Sequence, residues 1–81
     1  MKLVYFAWVR ERIGVPQEAY DGAARDVSGL LAELTARDAR YAAAFSDMSA
    51  VRVAVNQELT DLDAAIGPGD EVAFFPPMTG G

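Results

Sequence analysis

Two adjacent glycines, Gly80 and Gly81, end the sequence and offer its most promising reactive group. Neither has a Cβ, so a narrow channel can close around the main chain while the terminal carboxylate stays open to attack. The chain contains neither cysteine nor histidine, and it therefore lacks thiolate nucleophiles, the commonest general base and the commonest metal ligands. We expect chemistry at the main-chain carboxylate of Gly81, with no metal and no permanently bound cofactor.

The segment before the glycines is stiff at its start and carries no charge. Pro76 and Pro77 favour an extended polyproline II conformation, and Met78 and Thr79 follow them. A six-residue extended segment spans at most about 20 Å, which is enough to enter the active site of a partner. We therefore interpret residues 76–81 as an extended tail that is inserted into another protein.

Composition and charge restrict the partners and the location. With 52% hydrophobic and 23% charged residues, the 81-residue chain has the composition of one folded domain. A net charge of −5 with one lysine, Lys2, disfavours a nucleic-acid partner, because that affinity comes mainly from lysine and arginine. No apolar run reaches the length of about 18 residues that predicts a membrane span, and the N-terminus is unlike a signal peptide. We expect a cytoplasmic protein with no membrane partner.

Two apolar segments, one near each end of the folded domain, predict strands. Residues 2–8, KLVYFAW, are rich in β-branched and aromatic types on both faces and predict a central strand. Residues 71–75, EVAFF, follow a strong turn signal at 67–70 and end at prolines that cannot continue a ladder. The domain is therefore expected to cover residues 1–75.

Two further segments have weaker strand patterns. Residues 51–55, VRVAV, followed by Asn56–Gln57 as a turn into Leu59, predict a strand with a short paired partner. Residues 17–23 fit a weak second strand paired with the first, but Asp21–Gly22 interrupts the pattern. The sequence therefore does not decide whether this segment forms an edge strand or irregular chain.

One amphipathic helix is the clearest element of the pattern. Asp26 is a good N-cap, and shorter helical pieces are predicted at residues 9–14 and 41–45. A mixed sheet packed against one main helix is a two-layer architecture of the α+β class, and the β-grasp fold has this architecture. The apolar stripe of the main helix consists of Val27, Leu30, Leu31 and Leu34.

The C-terminal part of the sequence resembles a known family. The stretch GPGDEVAFFPPMTGG at 67–81 is similar to the C-terminal signature of the MoaD/ThiS sulfur carriers, in particular those that serve molybdopterin synthase. The similarity extends more loosely through VAVNQEL at 53–59 and the opening KLVYFAWVRE, and it is poorest at residues 20–25. The resemblance implies a ubiquitin-like β-grasp domain that carries sulfur.

The resemblance also implies how the sulfur is loaded and delivered. An E1-like adenylyltransferase uses ATP to adenylate Gly81, and a sulfurtransferase or other persulfide donor converts the adenylate into a thiocarboxylate. The tail is then threaded, with Gly80 in its narrow part, into the large subunit of molybdopterin synthase. There the sulfur passes to cyclic pyranopterin monophosphate, within a heterotetramer. The chain itself is then a non-catalytic donor, and the active site lies in the large subunit.

Side-chain parity predicts a surface on which a partner could dock. Phe75 on the last strand and Phe6 on the first both point away from the helix if the strands are regular. An alternative is that the two rings only fill a second small cluster. The resemblance implies docking through Phe6, Leu59 and Phe75, continued along the tail by Pro76, Pro77, Met78 and Thr79.

Other functions stay open at this point. A thiamine-thiazole sulfur carrier, or a ubiquitin-like modifier that is conjugated to lysine, would share the fold and the Gly80–Gly81 terminus. An acyl carrier protein is small and acidic, and DVSGL at 26–30 loosely resembles its attachment site, but the two strand segments conflict with an all-helical protein. A purely structural interaction domain would tolerate the loss of both glycines.

Overall fold

The structure, a computed structural model, describes residues 1–77 of the chain. The predictions made for Met78, Thr79, Gly80 and Gly81 therefore lie outside the described residues. The strands and α-helices of the described part are β1 (Lys2–Tyr5), α1 (Ala7–Ile13), β2 (Gln17–Ala19), α2 (Val27–Arg37), α3 (Ala39–Ala44), β3 (Arg52–Val55), β4 (Glu58–Thr60) and β5 (Glu71–Phe75). A 3₁₀ turn at Met48–Ala50 lies between α3 and β3.

The strands form one mixed sheet in the order β2-β1-β5-β3-β4. β1 and β5 run parallel, and the other neighbouring pairs are antiparallel. The first strand lies inside the sheet, as predicted, and the last strand occupies its centre. The helices pack against one face, so the predicted α+β class and β-grasp architecture are confirmed. The helical layer is more than one helix, because α1 and α3 also bury apolar side chains in it.

The main helix, α2, forms as its pattern predicts. The Asp26 carboxylate accepts a hydrogen bond of 2.7 Å from the Gly29 N–H and so caps the first turn. The predicted apolar stripe is buried against the sheet, because its spacing places all four side chains on one side of the helix. The second predicted helical piece is present as α3.

The first strand is shorter than predicted, and the first helix is longer. β1 ends at Tyr5, and α1 begins at Ala7, whose φ of 52° turns the chain out of the sheet. The reason is tertiary, since Val9 and Ile13 are separated by one helical turn and are both buried in the core. Gly14 ends the helix with a φ of 97°, a conformation that glycine adopts at little cost.

The open question at residues 17–23 is settled as a short edge strand, β2, which pairs antiparallel with β1. Its side chains compensate for its weak propensity. One Glu18 carboxylate oxygen accepts hydrogen bonds from the hydroxyl groups of Tyr5, at 2.7 Å, and Tyr41, at 2.5 Å. Burial, reinforced by this carboxylate, raises the pKa of both tyrosines. The Tyr20 N–H still donates to the Met1 carbonyl, and residues 21–25 then leave the sheet, as the interruption at Asp21–Gly22 predicts.

The hairpin of β3 and β4 is confirmed, with a two-residue turn at Asn56–Gln57. Both turn residues have positive φ, 51° and 69°, as the common two-residue hairpin turn requires. The Asn56 side chain also holds β5 in place, because it accepts from the Glu71 N–H at 3.0 Å and donates to Asp70 at 3.0 Å. The hydrogen bond from Asn56, together with one from the Gly67 N–H, lowers the pKa of Asp70.

The core is centred on the strand from which the tail leaves. Phe74 of β5 is fully buried and lies between Tyr5 and Phe45, with ring centroids at 6.1 Å and 4.9 Å. Aromatic contacts of this kind add stability beyond the buried area. The last strand is therefore held by its ladders to β1 and β3 and by a buried anchor next to its final residue.

Candidate functional site

The sheet face opposite the helices carries an apolar row that crosses four strands. The strand register places Val4 beside Ala73, Ala73 beside Ala54, and Ala54 beside Leu59. Residues in register share one face of a sheet, so the four side chains point the same way. The two alanines are each 8% exposed, whereas Leu59 is 70% exposed. The row therefore has a low floor of alanines and a prominent leucine at one end.

Phe6 and Phe75 border this row on one side, since each lies two residues after a member of the row, Val4 or Ala73. Their ring centroids are 6.5 Å apart and their planes are inclined by 80°, an edge-to-face contact. Phe6 lies beyond the end of β1, but its backbone is extended and its N–H donates to the Phe74 carbonyl at 3.1 Å. The alternation of the strand continues through Phe6, and the predicted orientation of both rings away from the helices is confirmed. Their role in docking stays a prediction.

The rings and the alanine floor form a shallow groove with a volume of about 610 Å³. It is open to solvent, and its surface is mainly apolar. We call the sheet surface formed by Phe6, Ala54, Leu59, Ala73 and Phe75 the docking face. The groove itself is lined by Phe6, Ala7, Ala54, Gln57, Glu71, Ala73, Phe75 and Pro76.

Sequence reasoning named Phe6, Leu59 and Phe75 on this surface but gave the two alanines no role in it. Ala54 and Ala73 matter because small side chains leave room above the sheet, and nothing in the local pattern marks them. The signal that could have found them is the pairing of β3 with β5, which places the two alanines opposite each other. That pairing joins segments far apart in the sequence, so it follows from the fold.

Charges lie at the border of the docking face. The Lys2 ammonium is 3.8 Å from the Glu71 carboxylate, and both side chains are substantially exposed. Arg52 lies opposite Phe75 in the β3–β5 ladder and is exposed. An exposed ion pair contributes little to stability. These groups therefore surround the apolar surface without filling it.

The tail begins at one end of the groove. β5 ends at Phe75, and the half-buried Pro76 and Pro77 follow it. Because β5 is paired on both sides, the starting point of the tail is fixed relative to the docking face. A partner that covers this face would therefore receive the tail at a defined position.

Among the described residues that line the groove, Glu71 is the one with an ionisable side chain. Within residues 1–77 there is no group of three carboxylate, histidine or cysteine side chains that could hold a metal. Burial and the Glu33 carboxylate raise the pKa of Tyr20 to about 12, but this residue lies outside the groove. None of the helices between residues 1 and 77 is both long and apolar enough for a membrane span.

Comparisons with known proteins agree with the geometry. The model of the ThiS family matches residues 3–81. The molybdopterin synthase sulfur carrier subunit of Escherichia coli (strain K12) is 40% identical over 81 residues, covering 100% of this chain and 99% of that protein. This relative and the family model both span the whole fold and the tail.

Two solved structures share the fold. SAMP1 of Haloferax volcanii superposes with a TM-score of 0.79 at 26% identity, over 100% of this chain and 98% of that one. A chain of the complex of subunits 1 and 2 of the molybdopterin-converting factor from Helicobacter pylori has a TM-score of 0.63 at 22% identity, and the match covers 99% of this chain and 96% of that one. The second likeness concerns the fold alone. The family model and the full-length relative together show that the chain belongs to the ThiS family, as its C-terminal sequence predicts.

Proposed function

We propose that this chain is the sulfur carrier subunit of a molybdopterin synthase and carries sulfur as a thiocarboxylate on Gly81. The observation that carries the proposal is the 40% identity, over the full length, with a sulfur carrier subunit of that enzyme. The docking face and the fixed start of the tail support it, because a carrier must present its terminus in a defined position to a second protein.

The chemistry takes place on the main chain. An E1-like adenylyltransferase uses ATP to convert the Gly81 carboxylate into an acyl adenylate, which is a far better electrophile than the carboxylate. The terminal sulfur of a persulfide donor attacks the carbonyl carbon, AMP leaves, and an acyl disulfide forms. A second thiol, from the donor or from an added thiol reductant, then attacks the donor's sulfur in that S–S bond, which releases the thiocarboxylate and leaves a disulfide. ATP is thus a reactant of the activating enzyme, and the carrier holds no cofactor. The proposal places these steps in the cytoplasm, where ATP is available.

The partner that receives the sulfur is the large subunit of the synthase, in a heterotetramer. Phe6, Leu59 and Phe75 provide the apolar contact. Phe6 and Leu59 are exposed and Phe75 is half-buried, and large apolar side chains beside a groove are suited to become buried anchors. Pro76 and Pro77 direct the tail away from the sheet, and Met78, Thr79 and Gly80 complete the segment that enters the partner. The carrier supplies no acid or base, so the catalytic residues belong to the large subunit.

Reconstitution tests this proposal. The thiocarboxylated chain, prepared with the activating enzyme, ATP and a persulfide donor, is mixed with the large subunit and cyclic pyranopterin monophosphate. We expect molybdopterin to form while mass spectrometry shows the terminal sulfur being replaced by oxygen. The unloaded carboxylate form is the matched control. If the loaded chain binds the large subunit but releases no sulfur to the precursor, the proposal is wrong.

A second candidate is a ubiquitin-like protein modifier, favoured by the likeness to SAMP1, a small archaeal modifier protein. In that function the activated Gly81 carbonyl is attacked by a lysine amine of a target. Incubation with the activating enzyme, ATP and a cell extract distinguishes the two, since a modifier yields isopeptide-linked conjugates. The same preparation offered to a thiazole-forming system tests the thiamine pathway, the other destination for a sulfur carrier of this family.

A further inference from the structure

Within residues 1–77, no strand pairs with the outer edge of β4. β4 is the terminal strand, pairs with β3 on its inner side, and covers only Glu58–Thr60. An open edge presents unpaired backbone groups that can template another strand. Whether β4 presents such groups depends on which of its residues bond inward to β3.

The hairpin register determines this. The Asn56 N–H donates to the Glu71 carbonyl at 2.8 Å. The backbone N–H and C=O groups of the even-numbered residues of β3 therefore point toward β5, and those of the odd-numbered residues point toward β4. Val55 and Glu58 flank the two-residue turn and form a bonded pair, and pairs alternate along an antiparallel ladder. Leu59, opposite Ala54, is therefore the non-bonded position. Its N–H and its C=O both point out of the sheet.

Leu59 combines this free backbone with an unusually exposed side chain. The side chain is 70% exposed, more than Phe6 at 48% or Leu62 at 39%. It lies on the docking face, in register with the alanine floor. One residue thus offers an apolar side chain on the face and two hydrogen-bonding groups at the edge. The two surfaces meet there and form one continuous contact area.

The charge at this edge indicates what can pair with it. Glu58, Asp61 and Asp63 are all exposed, and in the described part of the chain no ion pair or side-chain hydrogen bond uses their carboxylates. Two copies of the chain would bring these carboxylates together, each on a molecule of net charge −5. The edge therefore favours a strand of a different protein that carries lysine or arginine.

We propose that the partner covering the docking face adds an extended strand to β4 through the Leu59 backbone. This strand places an apolar side chain against Leu59 and a basic one near Glu58 or Asp61, so the sheet continues into the partner. The inference rests on the proposed function, in which that partner is the large synthase subunit. It adds a main-chain contact to the side-chain contacts at Phe6 and Phe75.

Replacing one backbone amide by an ester tests the proposal. A chain with the α-hydroxy analogue of leucine at position 59 keeps the side chain and loses the N–H, which bonds no group within residues 1–77. The ester also weakens the Glu58 carbonyl as an acceptor in the hairpin, so the control must carry the same change at an inward-facing carbonyl. We expect affinity for the large subunit, measured by calorimetry, to fall about two- to tenfold, the range for one typical hydrogen bond. The Glu58→Gln variant should bind more weakly at low salt and converge with wild type at high salt.

The matched control is an ester at Ala19, on the opposite edge strand. The Tyr5 N–H donates to Pro16 and the Tyr20 N–H to Met1, so the Ala19 N–H also points out of the sheet, far from Leu59. The Ala19 ester should bind the large subunit like wild type.

Wild-type affinity of the Leu59 ester for the large subunit overturns the inference, as does a Leu59-dependent homodimer of the free chain. If Phe75→Ala weakens binding and the Leu59 ester does not, the docking face is supported and the added strand is wrong. If neither Phe75→Ala nor the Leu59 ester weakens binding, the proposed docking is wrong as well.

Discussion

Phe6 and Phe75 lie in edge-to-face contact, 6.5 Å between ring centroids, at the point where the tail leaves the sheet. One residue follows the first strand and the other ends the last, and the parallel pairing of β1 with β5 brings them together. This contact joins the apolar surface of the sheet to the start of the tail. A partner that recognises the rings is thereby positioned to receive the C-terminus.

Removal of Gly81 should abolish sulfur transfer and leave the fold unchanged. A chain that ends at Gly80 still has a carboxylate, but the tail is shorter by up to about 3.5 Å, and a reacting group displaced by that distance is out of place for attack. Reconstituted molybdopterin formation should fall to background while circular dichroism and the Tm match wild type. Retained activity would show that the terminal residue does not carry the sulfur.

The Phe75→Ala variant should bind the large subunit at least tenfold more weakly. Truncation of a large ring that anchors an interface commonly weakens the binding free energy by about 2 kcal/mol or more. Because Phe75 is only half-buried in the free chain, we expect a smaller change in the free energy of unfolding. Leu62→Ala is the control, since Leu62 is 39% exposed but lies on the segment bonded to α2. Equal affinities for the two variants would contradict the docking face.

The Glu18→Ala variant should be destabilised by about 2 to 4 kcal/mol. It leaves the hydroxyl groups of Tyr5 and Tyr41, each on a residue only 1% exposed, without their common acceptor. Urea unfolding measures the loss, and Glu11→Ala on the exposed face of α1 should stay within about 0.5 kcal/mol of wild type. A similar effect of both variants would mean that Glu18 does not hold the edge strand.

The tyrosine pKa values predict a loss of stability in alkaline solution. Burial raises the pKa of Tyr20 from 10.0 to about 12, and the pKa values of Tyr5 and Tyr41 are also raised. Below pH of about 10 both folded and unfolded chains keep these protons, so this contribution is constant. Between about 10 and 12 the unfolded chain releases them first, and the free energy of unfolding falls.

Urea unfolding at several pH values measures this loss, and absorbance at the tyrosinate band reports the titration directly. The Tyr20→Phe variant should show a shallower decline than wild type, because one of the raised groups is gone. A free energy of unfolding that stays constant across the alkaline range would contradict the raised pKa values.

Much of the fold could be predicted from the sequence, because its signals are local. Asp26 and the four apolar residues after it specify α2 by cap and spacing, and Asn56–Gln57 specifies the hairpin turn by residue type. The end of β1 could not be predicted in this way. Residues 6–8 have strand-like types, and only the burial of Val9 and Ile13 against other elements makes the chain turn into a helix.

The same division applies to the site. The sequence by itself determined the uncharged tail and the family and predicts the reactive carboxylate, since these depend on which residues are present and in what order. Only the tertiary structure decided that Ala54 and Ala73 form the floor between the rings and Leu59, and that the Leu59 backbone faces outward. The reason is that strand register is set by pairing between distant segments, and a shift of one residue would turn every side chain to the other face.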